Sequence, residues 1–150
     1  MSQAREAIEG LVYAYAERID LGDFEGVADL FASAEITNAG TDVVHRGRDE
    51  ALAMYTSWTR RLDDGTPHTK HVTTNLAIVV DDDETTATAR SYYTVLQAVP
   101  GALALQPIIA GRYHDRFEHT HDGWRFSARH IIVDLTGDLS EHMLRPVRTP

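Results

Sequence analysis

The feature that most limits what this chain can fold into is a change of hydrophobic period near its middle. Before the breaker stretch Asp63-Asp64-Gly65-Thr66-Pro67 apolar residues recur at helical spacing, and after it they alternate. Ile8, Leu11, Val12, Tyr15 and Ile19 share one face and predict a helix over 4–19, followed by Gly22 where a left-handed C-terminal residue is often needed. Asp23 suits the N-cap of a second short helix whose Val27, Leu30 and Phe31 face inward. Residues 34–46 hold short extended pieces around Ala39-Gly40, and Leu52, Tyr55, Trp58 and Leu62 predict a third helix over 48–62.

Beyond the breaker, the β-branched and aromatic content predicts four strands, over 68–80, 85–99, 103–118 and 124–134. The links Asp81-Asp82-Asp83, Pro100-Gly101 and Asp122-Gly123 are too short for helical crossovers, so antiparallel hairpins are expected. Helices first and a meander after them make an α+β plan in which a curved sheet wraps the helices. Residues 1–135 form one domain on this reading. Residues 136–150 form a C-terminal tail whose Leu139, Met143, Leu144 and Val147 need a surface to cover, as a lid or an inter-subunit arm.

Composition narrows the partners. A formal net charge of -9 disfavours nucleic acid, whose phosphates call for clustered Lys and Arg. With no cysteine there is neither a disulfide nor a thiolate nucleophile, which fits a reducing compartment, and the cytoplasm is the expected location. The N-terminus MSQAREAIEG has no apolar leader and no run long enough for a membrane span occurs, so no membrane association is expected. A long-stranded curved sheet exposes an outer face that a chain of 150 residues cannot cover with helices, so a homodimer or homotrimer is expected.

Two residues stand out chemically. Asp20 ends the first helix, where the negative end of the dipole makes a carboxylate more basic unless a cation lies close; a solvated helix-end Asp is the plainer reading. His71 lies on the first long strand in phase with Thr69, Thr73 and Asn75, opposite Val72, Leu76 and Ile78, and an imidazole there can act as a general base. Tyr15 sits on the apolar stripe of the first helix, where its hydroxyl needs a partner. Tyr55, Trp58, Tyr93 and Tyr113 are core or pocket aromatics. His68 and His71 point to opposite strand faces, and His119 and His121 flank a turn, so no shared metal is expected. The chain has no Gly-rich phosphate loop and no GxSxG elbow, and no cofactor is expected.

The segment YAERIDLGDFEGVADLF at 15–31, HVTTNL at 71–76 and DGWRFSARHI at 122–131 together resemble the SnoaL-like branch of the nuclear transport factor 2-like superfamily, over about residues 3–135. More narrowly they resemble the group containing scytalone dehydratase and lindane dehydrochlorinase. That resemblance implies a cone-shaped barrel, with three N-terminal helices packed in a curved, mostly antiparallel sheet, and a pocket open at one end. It also implies that Asp20 and His71 act as a catalytic pair with Tyr15, in a pocket lined by Tyr55, Trp58, Asn75, Tyr93 and Tyr113. The activity implied is a cofactor-free, dehydratase-like elimination or an isomerisation of a small apolar, cyclic substrate. Polyketide cyclisation, epoxide hydrolysis, and non-catalytic ligand binding or assembly stand as alternatives on the same fold.

Overall fold

A computed structural model describes residues 2–147 of the chain. The Ser2 hydroxyl accepts from the Arg5 amide and caps α1 (Gln3–Asp20), which buries Ile8, Val12, Tyr15 and Ile19 on one face. Just past the Leu21 C-cap of this helix stands Gly22, which has φ of 73°. A Cβ there would come within 2.0 Å of the Gly65 carbonyl oxygen. The breaker loop therefore lies directly against the end of α1 and delivers the following strand beside Asp20. Asp23 caps α2 (Phe24–Leu30) through the Gly26 amide.

Two short strands, β1 (Glu35–Asn38) and β2 (Val44–Arg46), precede α3 (Gly47–Trp58). The third helix thus stops four residues short of the expected 62. Thr59 leaves it in extended conformation because its backbone is claimed by the C-terminal segment, in a bridge to Met143. The long strands are β3 (Thr69–Val80), β4 (Thr86–Val99), β5 (Leu103–Thr120) and β6 (Gly123–Thr136).

The six strands form one sheet in the order β2-β1-β6-β5-β4-β3. It is curved but unclosed, with β2 and β3 at its edges, so the expected barrel is an open half-cone. The long strands pair antiparallel, whereas β1 runs parallel to β6. Register shifts in β3, β4, β5 and β6 supply the curvature. One falls between Thr74 and Ala77, where Asn75 has φ of 54°. The simple alternation read from the sequence fails at that point: Val72 is exposed, and Ile78 returns to the core in the phase begun by His71.

The concave face holds the core. Phe31 from the end of α2 packs on Phe126, which packs on Phe117, each pair with ring centroids 4.7 Å apart. Burying each such ring is worth about 1.5–3 kcal/mol. Among the described residues no helix is long and apolar enough to cross a membrane.

Candidate functional site

Between the helices and the sheet lies a cavity of about 720 Å³. Tyr15 and Ile19 of α1, Tyr55 and Trp58 of α3, His71, and Tyr93, Tyr113 and Ile109 of the sheet line it. Most of these reach it for simple reasons of period, the helical residues from the apolar stripe and the strand residues from the inward phase.

Asp20 and His71 meet at its edge. Asp20 Oδ1 lies 2.6 Å from His71 Nδ1 and accepts from the Thr69 hydroxyl at 2.8 Å, and Oδ2 accepts the His71 backbone N–H at 2.8 Å. Both side chains are largely withdrawn from solvent, at 12% and 7% exposure. Burial alone would raise the Asp20 carboxyl, but the His71 ring, its amide and the Thr69 hydroxyl together hold it below its ordinary value. The helix-end position therefore does not make Asp20 more basic; the partners on β3 outweigh the dipole. A carboxylate facing Nδ1 accepts a hydrogen bond from its N–H and so keeps the proton on Nδ1, which leaves Nε2 as the free acceptor.

Tyr15 stands edge-on to His71, with ring centroids 6.0 Å apart and planes at 88°. Tyr93 and Tyr113 are stacked at 4.3 Å, and the Tyr93 hydroxyl donates to the Ile132 carbonyl, so Tyr93 presents its ring rather than its oxygen. Burial pushes the phenols of Tyr55, Tyr93 and Tyr113 up, so all three stay protonated. Asn75 does not line the cavity. The bulge turns it outward, where it is exposed.

The structure adds residues that the sequence reading did not select. Arg129 is buried beneath the aromatic wall, forked onto Asp115 at 2.8 and 2.9 Å, with its guanidinium 3.8 Å from the Tyr113 ring centre and 4.4 Å from that of Tyr15. Burial opposes its charge, but Asp115 more than offsets this and keeps the guanidinium protonated. Asp115 lies in the inward phase with Tyr113 and Phe117, and a carboxylate in an otherwise aromatic phase is the signal that could have revealed the pair.

The C-terminal segment forms another part of the wall, through His142, Met143, Arg145, Pro146 and Val147. It is tied down by backbone: Arg60 N–H donates to His142 O at 2.7 Å, Leu144 N–H to Trp58 O at 2.8 Å and Gly137 N–H to Ile108 O at 2.7 Å. The buried Gln97 amide donates to Glu141 O at 3.1 Å and to Pro67 O at 2.9 Å. His142 itself is 3% exposed, and burial together with nearby His71 lowers it to about 4, against a smaller opposing effect of Asp20.

Known structures similar to this one have the same architecture. An NTF2-like protein with a cystatin-like fold from Novosphingobium aromaticivorans is 24% identical, with a TM-score of 0.73 over 93% of this chain and 86% of that one. A candidate scytalone dehydratase from the same organism is 23% identical, with a TM-score of 0.72 over 97% and 89%. ActVI-ORFA from Streptomyces coelicolor is 18% identical, with a TM-score of 0.71 over 89% and 98%. At such identities these likenesses establish the fold. No curated protein sequence matches the chain. The SnoaL-like domain family does match, over residues 1–130, a span that runs from the first helix through Asp20 and His71 to the buried Arg129 of the last strand. The chain belongs to the SnoaL-like domain family.

Proposed function

We propose that this protein is a cofactor-free lyase or isomerase that acts on a small, largely apolar, cyclic substrate, with His71 as the general base. The observation that carries this reading is the 2.6 Å contact between Asp20 Oδ1 and His71 Nδ1 at the edge of an aromatic-lined cavity of about 720 Å³. Asp20 fixes the tautomer and stabilises the imidazolium once it forms, and Nε2 takes a carbon-bound proton of the substrate. In an elimination, the electron pair of that C–H bond becomes a double bond and expels hydroxide, which leaves as water with a proton from Tyr15. In an isomerisation, His71 returns its proton to another carbon of the same ligand. An assembly module on this fold would have no need of a buried carboxylate-imidazole pair facing open space, which favours chemistry over scaffolding.

The test is deuterium exchange at the carbon beside the carbonyl of 1-tetralone in D2O, followed by proton NMR. The intact protein should accelerate exchange over buffer, and His71→Gln and Asp20→Asn should each remove about 10²-fold or more of that acceleration. Equal exchange in wild type and His71→Gln would show that His71 is not the base.

A further inference from the structure

A groove of about 610 Å³ crosses the convex face of the sheet and shares no lining residue with the cavity between helices and sheet. It lies at the end of that face nearest the link between β3 and β4, apart from the rows of Val72 and Leu135. The strand register sets Arg90 opposite His114, and His114 opposite His130. In the next row Arg116 stands opposite Thr88, so Arg90 and Arg116 are diagonal neighbours across β4 and β5. Like charges set side by side on a sheet repel one another and cost stability. The other strand arginines avoid that cost: Arg46, Arg112, Arg125 and Arg129 hold Glu35, Asp134, Glu118 and Asp115. Arg90 and Arg116 hold no carboxylate among the described residues, although the chain has 23 Asp and Glu against 14 Lys and Arg. The two carboxylates that border the groove are both engaged, Glu35 by Arg46 and Asp115 by Arg129.

We infer that this groove binds a small phosphate monoester, whose phosphoryl group is held by Arg90 and Arg116 and whose apolar body lies over Ala77 and Val79. Two guanidinium groups without counter-ions call for about two negative charges and several acceptor oxygens, which a phosphate monoester supplies and a single carboxylate does not. His114, exposed between the arginines, adds a further donor. The volume falls in the range of small-molecule sites, which is more room than a bare oxyanion fills. Ala77 faces Arg90 across the strands and Val79 faces Thr88, so an apolar strip runs beside the charged row. Val79 is 62% exposed there, and a flat ligand body would cover it. His130 closes the far side of the groove, its ring held by Thr37 Oγ1 at 2.7 Å from Nδ1.

The full chain should be titrated with phenyl phosphate, inorganic phosphate and phenol, followed by amide NMR. Phenyl phosphate is expected to give saturable shifts at Arg90, His114 and Arg116 and none at Tyr55 or His71, which separates this groove from the cavity without any variant. Inorganic phosphate should shift the same amides but bind about tenfold more weakly, the scale of one small apolar contact, and phenol should leave them unmoved. Arg90→Gln and Arg116→Gln should each weaken phenyl phosphate about tenfold, and Arg116→Lys, which keeps the charge but not the fork, should lose less than Arg116→Gln. In phosphate-free buffer the Arg90→Gln, Arg116→Gln double variant should melt no lower than wild type, because it relieves repulsion rather than breaking an ion pair. Shifts confined to the cavity residues, equal affinity for phenyl phosphate and inorganic phosphate, binding undiminished in the double variant, or a double variant that melts below wild type would each overturn the assignment.

Discussion

At the scale of single residues, the buried ion pair of Asp115 and Arg129 is the most exacting arrangement in the molecule. Neither side chain has any exposed surface, and the guanidinium is enclosed by Tyr15, Phe31, Tyr113 and Phe126. Two charges removed from water in this way add little net stability, but the loss of one strands the other. Asp115→Ala is therefore expected to cost about 3–5 kcal/mol in urea denaturation, and the double variant Asp115→Leu with Arg129→Met should recover most of it. A single variant that costs under about 1 kcal/mol would show that water reaches the guanidinium. This pair was hard to read in the sequence because Arg129 and Asp115 lie on neighbouring strands whose register slips between Arg116 and Phe117. Asp20 and His71 were legible, one from its place at a helix end and the other from its strand phase, with the family resemblance joining them. Asn75 was misread because a strand phase was carried through a bulge that no local residue announces.

At the scale of elements, the segment after β6 behaves as a strap. It carries His142 into the interior and satisfies Gln97, yet its sequence has neither helical nor strand period, because backbone bonds to Trp58, Arg60 and Ile108 hold it rather than a stripe of its own. The strap makes acid stability depend on one residue. In the unfolded chain His142 takes up a proton near 6.5, and in the folded protein only near about 4. Between those values the unfolded chain binds more protons, so stability is complete above the upper value and is lost as the pH falls toward the lower one, by on the order of 3 kcal/mol. Of the groups facing His142, the Asp20 carboxyl is lowered from 3.8, so its contribution disappears only below that window. Urea denaturation between pH 6.5 and 4 should show a steeper decline for wild type than for His142→Gln, and equal slopes would contradict the burial argument. Among the elements, the switch from helices to hairpins was plain in the hydrophobic period. The parallel pairing of β1 was not, because its four residues match a strand about ninety positions away, well beyond any local pattern.

At the scale of the whole molecule, the convex face of the sheet remains without helical cover. Val72, Tyr92 and Leu135 are 40%, 52% and 70% exposed, and the strand register places them in adjacent rows of that face. Apolar groups clustered there fit self-association. Light scattering at micromolar concentration is expected to give two or three times 16.7 kDa, and Tyr92→Lys with Leu135→Lys should return the monomer. A monomeric wild type would refute it. The parallel seam between β1 and β6 has a consequence for how the molecule comes into being. The contacts of α1 with β3 span a moderate stretch of chain, whereas Thr37 and His130 touch across 93 positions. High contact order of this kind slows the search for the native topology, since loop closure must precede the reward of pairing. The carboxylate and imidazole can thus meet early in folding, while the far edge of the sheet waits for the last long strand to arrive. During synthesis the first two helices are committed to the ribosome's surroundings without their sheet partner, with Phe31 and Ile36 uncovered until Phe126 and Arg129 have emerged to receive them.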